Sequence, residues 1–150
     1  MSGTIMLPCI SLWQPYASLI FVRDPDLRKQ HETRKFALPE RLLGKRIGIC
    51  STKKSPAASA ELDDLAVRAF GPSYRSTLPT AALIGTVEIN QWIITEVAHP
   101  ASEADRIAGD WSAERFAWLT EDPQPLPTPI PVLGRQRWFM VEVPEALADA

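Results

Sequence analysis

The residues best suited to chemistry form the segment Lys29-x-x-Glu32-x-Arg34. If residues 31–36 are extended, Glu32 and Arg34 lie on one face of the strand and Thr33 on the other, because side chains alternate along a strand. Glu32 then pairs with Arg34 and holds the guanidinium toward a phosphate or a base edge, while Lys29 adds mobile positive charge. The alternative is a surface ion pair without a functional role.

The same residue types are adequate for hydrolysis as well as for binding. A carboxylate such as Glu32 activates water as a general base, and Lys29 or Lys53 stabilises an oxyanion. The candidate catalytic residues are therefore Lys29, Glu32 and Lys53. In a ribonuclease, Glu32 would act near a 2′-hydroxyl while Lys53 and Arg34 contact the phosphate.

A larger set of residues is suited to binding a ligand without reacting with it. Trp13 offers an aromatic face on which a base can stack, and Gln14 either reads a base through its amide or caps the helix that follows. Lysine and arginine side chains contact phosphates. The predicted ligand-binding residues are Trp13, Gln14, Arg34, Lys45, Arg46, Thr52 and Lys53. Trp118 and Trp138 are predicted to be core residues.

Positive charge is concentrated in the first third of the chain. Ten of the 16 Lys and Arg residues fall between positions 23 and 54, beside four acidic residues, although the net charge of the 150 residues is −2. A negative net charge argues against a protein that coats nucleic acid indiscriminately, since such binding comes from neutralised phosphates. The distribution predicts a basic region, with a solvated surface of scattered charges as the alternative.

The composition is that of one globular domain spanning residues 1–150, with 45% apolar and 23% charged residues. The first eight residues lack the features of a secretory signal, and no apolar run approaches the ~20 residues of a membrane span. A cytoplasmic location without membrane contact is expected. Cys9 and Cys50 lie in apolar runs and are predicted to be buried free thiols. No cofactor is predicted, and a divalent ion would arrive only with a phosphate ligand.

A sheet with helices at its side must position these residues. The predicted strands cover residues 6–12, 31–36, 46–51, 81–95, 115–119 and 137–143, and residues 123–131 are extended because they contain five prolines. Helices are predicted at residues 16–22, 55–70 and 101–108, with a short helical turn at 39–44. The order lacks regular strand–helix alternation, which favours an α+β fold with a mixed, curled sheet or small barrel.

Five segments in series resemble the ASCH (activating signal cointegrator homology) family. They are Ile-Ser-Leu-Trp-Gln-Pro-Tyr-Ala at residues 10–17, the segment from Lys29 to Arg34, and residues 44–53, 115–119 and 129–138. The resemblance implies a PUA-like mixed β-barrel of about six strands with two to three flanking helices. It also implies a cleft lined by the Gln-Pro turn, the Lys-x-x-Glu-x-Arg segment and the strand that ends near Lys53. Two features depart from the family's pattern: residues 21–28 form a longer loop without glycine, and Arg137 takes a place often held by glycine, which adds a cation near the cleft.

The resemblance implies an RNA- or nucleotide-binding domain with a basic cleft. One alternative is a hydrolase using the same cleft, either a ribonuclease on single-stranded RNA or an amidohydrolase of acylated cytidine-type nucleosides. The amidohydrolase pattern has a nucleophilic threonine three positions after the lysine; here Glu32 holds that place and Thr33 faces away, which disfavours a covalent threonine route. A second alternative is a regulatory protein-interaction module that uses the barrel only as a scaffold.

Overall fold

Six strands form one mixed sheet in the computed structural model, which describes residues 3–148. The strands are β1 (Thr4–Leu12), β2 (His31–Arg34), β3 (Arg46–Ser51), β4 (Ala82–Ile94), β5 (Phe116–Pro131) and β6 (Phe139–Pro144). The helices are α1 (Tyr16–Leu19), α2 (Ala60–Phe70), α3 (Tyr74–Thr77) and α4 (Glu103–Ile107), with 3-10 turns at Glu40–Leu42 and Glu145–Ala148. Within residues 3–148, none of these helices has the length and apolar character needed to cross a membrane.

The strand order is β2-β5-β4-β3-β1-β6, and only the β1–β3 pair is parallel among the pairs of the described chain. Parallel neighbours need a long crossover, which here contains α1 and β2, so Leu12 and Ser51 end their strands side by side. Across residues 3–148, the two end strands, β2 and β6, do not pair with each other, so the sheet is open. The predicted α+β fold with a mixed sheet of about six strands and flanking helices is confirmed, whereas the predicted closure of that sheet into a barrel is not seen in residues 3–148.

The main core packs α1 against the central strands. Trp118 of β5 is fully buried, and the partly buried Trp138 stacks on it with ring centroids 6.0 Å apart. Both tryptophans are therefore core residues, as predicted. A second apolar cluster joins α1 to α2 and α4 through Leu19, Leu62 and Ala104. This cluster fixes α4 beside the start of β2.

The largest differences in extent from the predictions are in α2 and β5; α1, β2 and α4 are shorter than predicted, and α3 was not predicted. The helix predicted to start at Ser55 starts at Ala60, where the Ser59 hydroxyl accepts the N–H of Leu62 at 3.2 Å. The Ser55 hydroxyl instead accepts the backbone N–H of Gln14 at 2.8 Å, a tertiary contact that no local pattern reveals. The proline-rich segment is part of β5 and pairs with β4 through register shifts, because proline has no N–H for a regular ladder.

Gly48 lies in the middle of β3, every residue of which is buried. A β-carbon there would collide with Sγ of Cys9 and would lie 2.9 Å from Cδ1 of Leu83. We expect Gly48→Ala to lower the free energy of unfolding by about 1–3 kcal/mol, the usual cost of overpacking a core, as measured by urea denaturation. Gly3→Ala is the control, since its β-carbon would come no closer than 3.6 Å to Glu145; an equal loss in both variants would contradict the prediction.

Cys9 and Cys50 are buried free thiols, as predicted. A hydrogen bond with Cys50 and burial both raise the pKa of Cys9. A thiol with a raised pKa carries little thiolate, the reactive form. Cys9 is therefore a packing residue.

Candidate functional site

A cavity of about 600 Å³, called here the first cavity, opens beside the ends of β1 and β3 and the length of β2. This volume is typical of sites that hold a small molecule or part of a polymer. Its lining contains five cationic side chains, those of Lys29, Arg34, Arg115, Arg135 and Arg137, and two carboxylates, those of Glu32 and Asp110. The excess of positive charge in a concave surface favours an anionic ligand.

Lys29, Glu32 and Arg34 form an ion-pair triad on the floor of the first cavity. Lys29 is only 1% exposed; its Nζ lies 3.3 Å from Oε1 of Glu32 and donates to the carbonyl oxygen of Ala108. Arg34 donates from Nε to Oε2 of Glu32 at 2.6 Å and from a terminal nitrogen to the carbonyl oxygen of Ser11 at 3.2 Å. The predicted pairing of Glu32 with Arg34 on one face of the strand is confirmed.

The electrostatics of the triad fix the ionisation of Glu32. Burial raises the pKa of Glu32, but the charges and hydrogen bonds of Lys29 and Arg34 outweigh it, so the net pKa lies below the ordinary value. Glu32 is therefore ionised at neutral pH, with each oxygen facing a cation. A carboxylate held in this way is a weak general base. Glu32 instead positions the cations of Lys29 and Arg34.

Asp105 of α4 anchors the chain where β2 begins. Its fully buried carboxylate accepts the backbone N–H groups of Gln30 and His31 at 2.8 Å each and that of Ala101 at 2.9 Å. Its Oδ2 also lies 2.7 Å from Nδ1 of His31. Because the carboxylate can only accept, Nδ1 carries the hydrogen of this bond. The four contacts hold the start of β2, and with it the cavity floor, against α4.

Two aromatic side chains line the same cavity. The Tyr16 ring lies near the triad, with its centroid 5.8 Å from Nζ of Lys29. Burial, together with the carboxylates of Glu32 and Asp110, raises the pKa of Tyr16, so its phenol stays protonated at neutral pH. Trp13 is 53% exposed, which is unusual for so large an apolar side chain. Its exposed ring is available for stacking.

The wall opposite α1 is built on Thr33. The Thr33 hydroxyl accepts the backbone N–H of Asp110 at 2.8 Å, and its carbonyl oxygen accepts from Arg115 at 3.1 Å. Arg115 also lies 3.5 Å from the Asp110 carboxylate. Thr33 therefore lines the same cavity as Glu32, contrary to the expectation that it faces away from the site, but its hydroxyl is engaged by the backbone of Asp110.

Arg135 and Arg137 stand at the rim of the first cavity and are both exposed. Between residues 3 and 148, neither has an ion-pair partner. Arg137 has a φ of 60°, in the left-handed region that favours glycine. A side chain in this conformation costs on the order of 1–3 kcal/mol. The backbone at position 137 thus favours glycine, and the arginine present adds a cation there.

The structure brings together five of the nine predicted site residues, since Trp13, Lys29, Glu32, Arg34 and Thr52 all line the first cavity. Gln14 and Lys53 line a second cavity of about 210 Å³. Lys45 and Arg46 precede or begin β3, whereas Thr52 follows its other end. These last two predicted residues are therefore separated from the first cavity by the length of a strand.

Arg46 stabilises the sheet. It is only 7% exposed, donates to the carbonyl oxygen of Asp122 at 2.7 Å, and pairs with the carboxylates of Asp122 and Glu88 at 2.5 and 3.4 Å. These contacts tie β3 to β4 and β5. The phosphate contact predicted for Arg46 stays a prediction.

Gln14 braces the turn before α1. Its Oε1 accepts the N–H of Ser18 at 3.1 Å, and its Nε2 donates to the Ser18 hydroxyl and to the carbonyl oxygen of Pro79, each at 2.8 Å. Of the two roles predicted for Gln14, capping of the helix is the one these contacts perform. The amide groups are occupied within the protein.

Sequence reasoning missed several lining residues, namely Tyr16, Asp110, Arg115 and Arg135. Tyr16, Arg115 and Arg135 lie in three of the five segments that resemble the family, but no residue pattern assigned them to the cleft, and Asp110 lies outside all five segments. Arg137 was the exception, because its departure from the expected glycine marked it as an additional cation near the cleft.

No protein-family model matches the sequence, and no curated protein gives a significant match. Among solved structures, the chain is similar to ASCH from Zymomonas mobilis, with 21% identity, a TM-score of 0.46, and coverage of 83% of this chain and 72% of that chain. A serine-to-alanine variant of that protein gives 20% identity, a TM-score of 0.46, and coverage of 83% and 73%. A tyrosine-to-phenylalanine variant gives 17% identity, a TM-score of 0.46, and coverage of 83% and 74%. These structures bear the name of the family that the five sequence segments resemble.

Proposed function

We propose that the first cavity binds single-stranded RNA or a nucleotide, with the phosphate at the rim and the base against an aromatic wall. The observation that carries the proposal is the surplus of cations in this cavity, two of which, Arg135 and Arg137, have no carboxylate partner in the part of the chain that is described. An arginine that has no partner at the mouth of a concave site is suited to bidentate contact with a phosphate.

The remaining lining residues have complementary roles in this proposal. At the floor, Oε2 of Glu32 lies 2.6 Å from Nε of Arg34 and fixes the guanidinium. The remaining N–H groups of Arg34 can contact a base or a sugar hydroxyl. The exposed Trp13 ring stacks on a base, an interaction worth about 1–3 kcal/mol in single-strand binders. The ligand contacts therefore combine charge with an apolar surface.

We expect Arg135→Ala/Arg137→Ala to weaken binding of a fluorescent octauridylate about 10-fold or more at low salt. Removing one cation that touches a phosphate of a single strand should also reduce the slope of log affinity against log salt by about 0.7, so the slope should fall by up to twice that amount. Fluorescence anisotropy across a salt series measures both quantities.

The matched control is Arg23→Ala/Arg41→Ala, which removes the same charge from exposed positions that line neither cavity. If both double variants lose affinity equally, binding follows net charge and the proposed site is wrong. If the wild type fails to bind the octauridylate at low salt, the RNA-binding proposal itself is wrong.

A second candidate function is a hydrolase that uses the same cavity, and the buried Lys29 ammonium favours it. Two of its three N–H groups face Glu32 and Ala108, which leaves one for a developing oxyanion or phosphorane. Incubation of the wild type with octauridylate and with N4-acetylcytidine, followed by chromatography, tests the ribonuclease and the amidohydrolase. Intact substrates after prolonged incubation would exclude both activities on these compounds.

A further inference from the structure

The second cavity is lined by two cations, Lys53 and Arg75, and by no carboxylate from residues 3–148. Lys53 is exposed and has no ion-pair partner within residues 3–148. Arg75 is held by the Tyr74 hydroxyl at 3.2 Å and by the Asp63 carboxylate at 3.1 Å. The other terminal nitrogen of Arg75, Nη1, has no hydrogen-bond partner among residues 3–148. The cavity therefore offers one mobile and one fixed cation.

The two cavities share a ridge made of two pairs of consecutive residues. Trp13 and Thr52 line the first cavity, whereas Gln14 and Lys53 line the second. Consecutive Cα atoms are ~3.8 Å apart, so the ridge is only about one residue wide. It is also braced, because Ser55 accepts the N–H of Gln14 at 2.8 Å and its hydroxyl lies 3.2 Å from that of Thr52.

We propose that the second cavity is a phosphate subsite for the nucleotide next to the one in the first cavity. The inference rests on the proposed function, and it specifies the ligand as a single-stranded oligonucleotide of at least two residues. Trp13, exposed on the ridge, lies where a base passes from one cavity to the other. Lys53 and Arg75 contact the adjoining phosphate, which a mononucleotide in the first cavity does not supply.

The test is competition by unlabelled uridylates of one to four nucleotides against a fluorescent octauridylate. For the wild type, the affinity should rise about 10-fold between one nucleotide and two or three, the effect of one added charge-assisted contact. Lys53→Ala and Arg75→Gln should each reduce this ratio to between one and three. Lys54→Ala is the matched control, because Lys54 is an exposed neighbour of Lys53 that lines neither cavity, and its ratio should equal that of the wild type.

The outcomes separate this inference from the proposed function. If the octauridylate does not bind, the proposed function is wrong. If it binds but mononucleotide and trinucleotide compete equally well, the first cavity stands as a nucleotide site and the second subsite is rejected. A fall in the ratio that is equally large for Lys54→Ala also rejects the subsite, because the effect would then be one of general charge.

Discussion

Lys29→Met is expected to lower the free energy of unfolding by about 3–5 kcal/mol, the usual result of removing one partner from a buried ion pair. Methionine fills a similar volume but removes the ammonium that lies 3.3 Å from Oε1 of Glu32. The 8% exposed Glu32 carboxylate is then left with Arg34 alone, and the Ala108 carbonyl oxygen loses its donor. Chemical denaturation in urea at neutral pH measures the loss.

A double variant distinguishes the unpaired charge from simple repacking. Lys29→Met/Glu32→Gln removes both charges and leaves Arg34, which is 24% exposed at its side chain, in contact with solvent. We expect it to be more stable than Lys29→Met alone, because a neutral amide is cheaper to bury than an unpaired carboxylate. Lys45→Met serves as a control at an exposed position and should change stability by no more than about 0.5 kcal/mol. If Lys29→Met is as stable as the control, the buried triad is not formed.

The energetic character of the triad bears on its role. A buried ion pair is weak evidence for stability, since apolar residues of similar volume often stabilise a fold equally well. Here the buried charges sit on the floor of a cavity whose rim is cationic, and buried charges beside a cleft are typical of functional sites. Stability alone does not account for Lys29, and the proposed binding of an anionic ligand would give its ammonium a role.

Local patterns predicted the parts of the site that depend on local geometry. Glu32 and Arg34 are two residues apart on a strand, and alternation alone places them on one face. The burial of Lys29 was not predictable in this way, because it depends on Ala108, which is 79 positions further along the chain. Arg135 and Arg137 reach the cavity because β6 pairs with β1, beginning at the Cys9–Phe139 pair.

Lys45 and Arg46 show how a strand can separate the two ends of a contiguous motif. Residues 44–53 read as one basic segment, but six of them form β3. A strand rises about 3.3 Å per residue, so the residues before β3 and those after it are separated by roughly 20 Å. One end of the motif therefore reaches the ligand cavities while the other pairs with the acidic side chains of β4 and β5.

Asp105→Asn is expected to lower the free energy of unfolding by about 2–3 kcal/mol, the cost of leaving a buried hydrogen-bonding group unsatisfied. Asp105 is fully buried, and each of its oxygens accepts from two N–H groups. Asparagine replaces one of the two carboxylate oxygens with an NH₂ group, which donates hydrogen bonds and cannot accept them. Two of the four N–H groups that Asp105 accepts would then face this donor. His31 can relieve one conflict by moving its ring hydrogen to the other nitrogen, but the backbone N–H of Ala101 or Gln30 cannot. Urea denaturation measures the loss, with the exposed Asp64→Asn as the control.

The pH dependence of this loss separates the charge of Asp105 from its shape. Burial raises the pKa of Asp105, but the bonds from His31 and the backbone N–H groups outweigh it, so the folded pKa lies below the ordinary value of about 3.9. A lowered pKa adds stability above the unfolded value, and that stability is lost as the pH falls through the folded pKa. The difference in the free energy of unfolding between wild type and Asp105→Asn should therefore be largest at neutral pH and should decrease below about pH 4. A difference that stays constant down to pH 3 would mean that the pKa of Asp105 is the same in the folded and unfolded states, and the charge of the carboxylate would then add nothing to the anchoring of the cavity floor by α4.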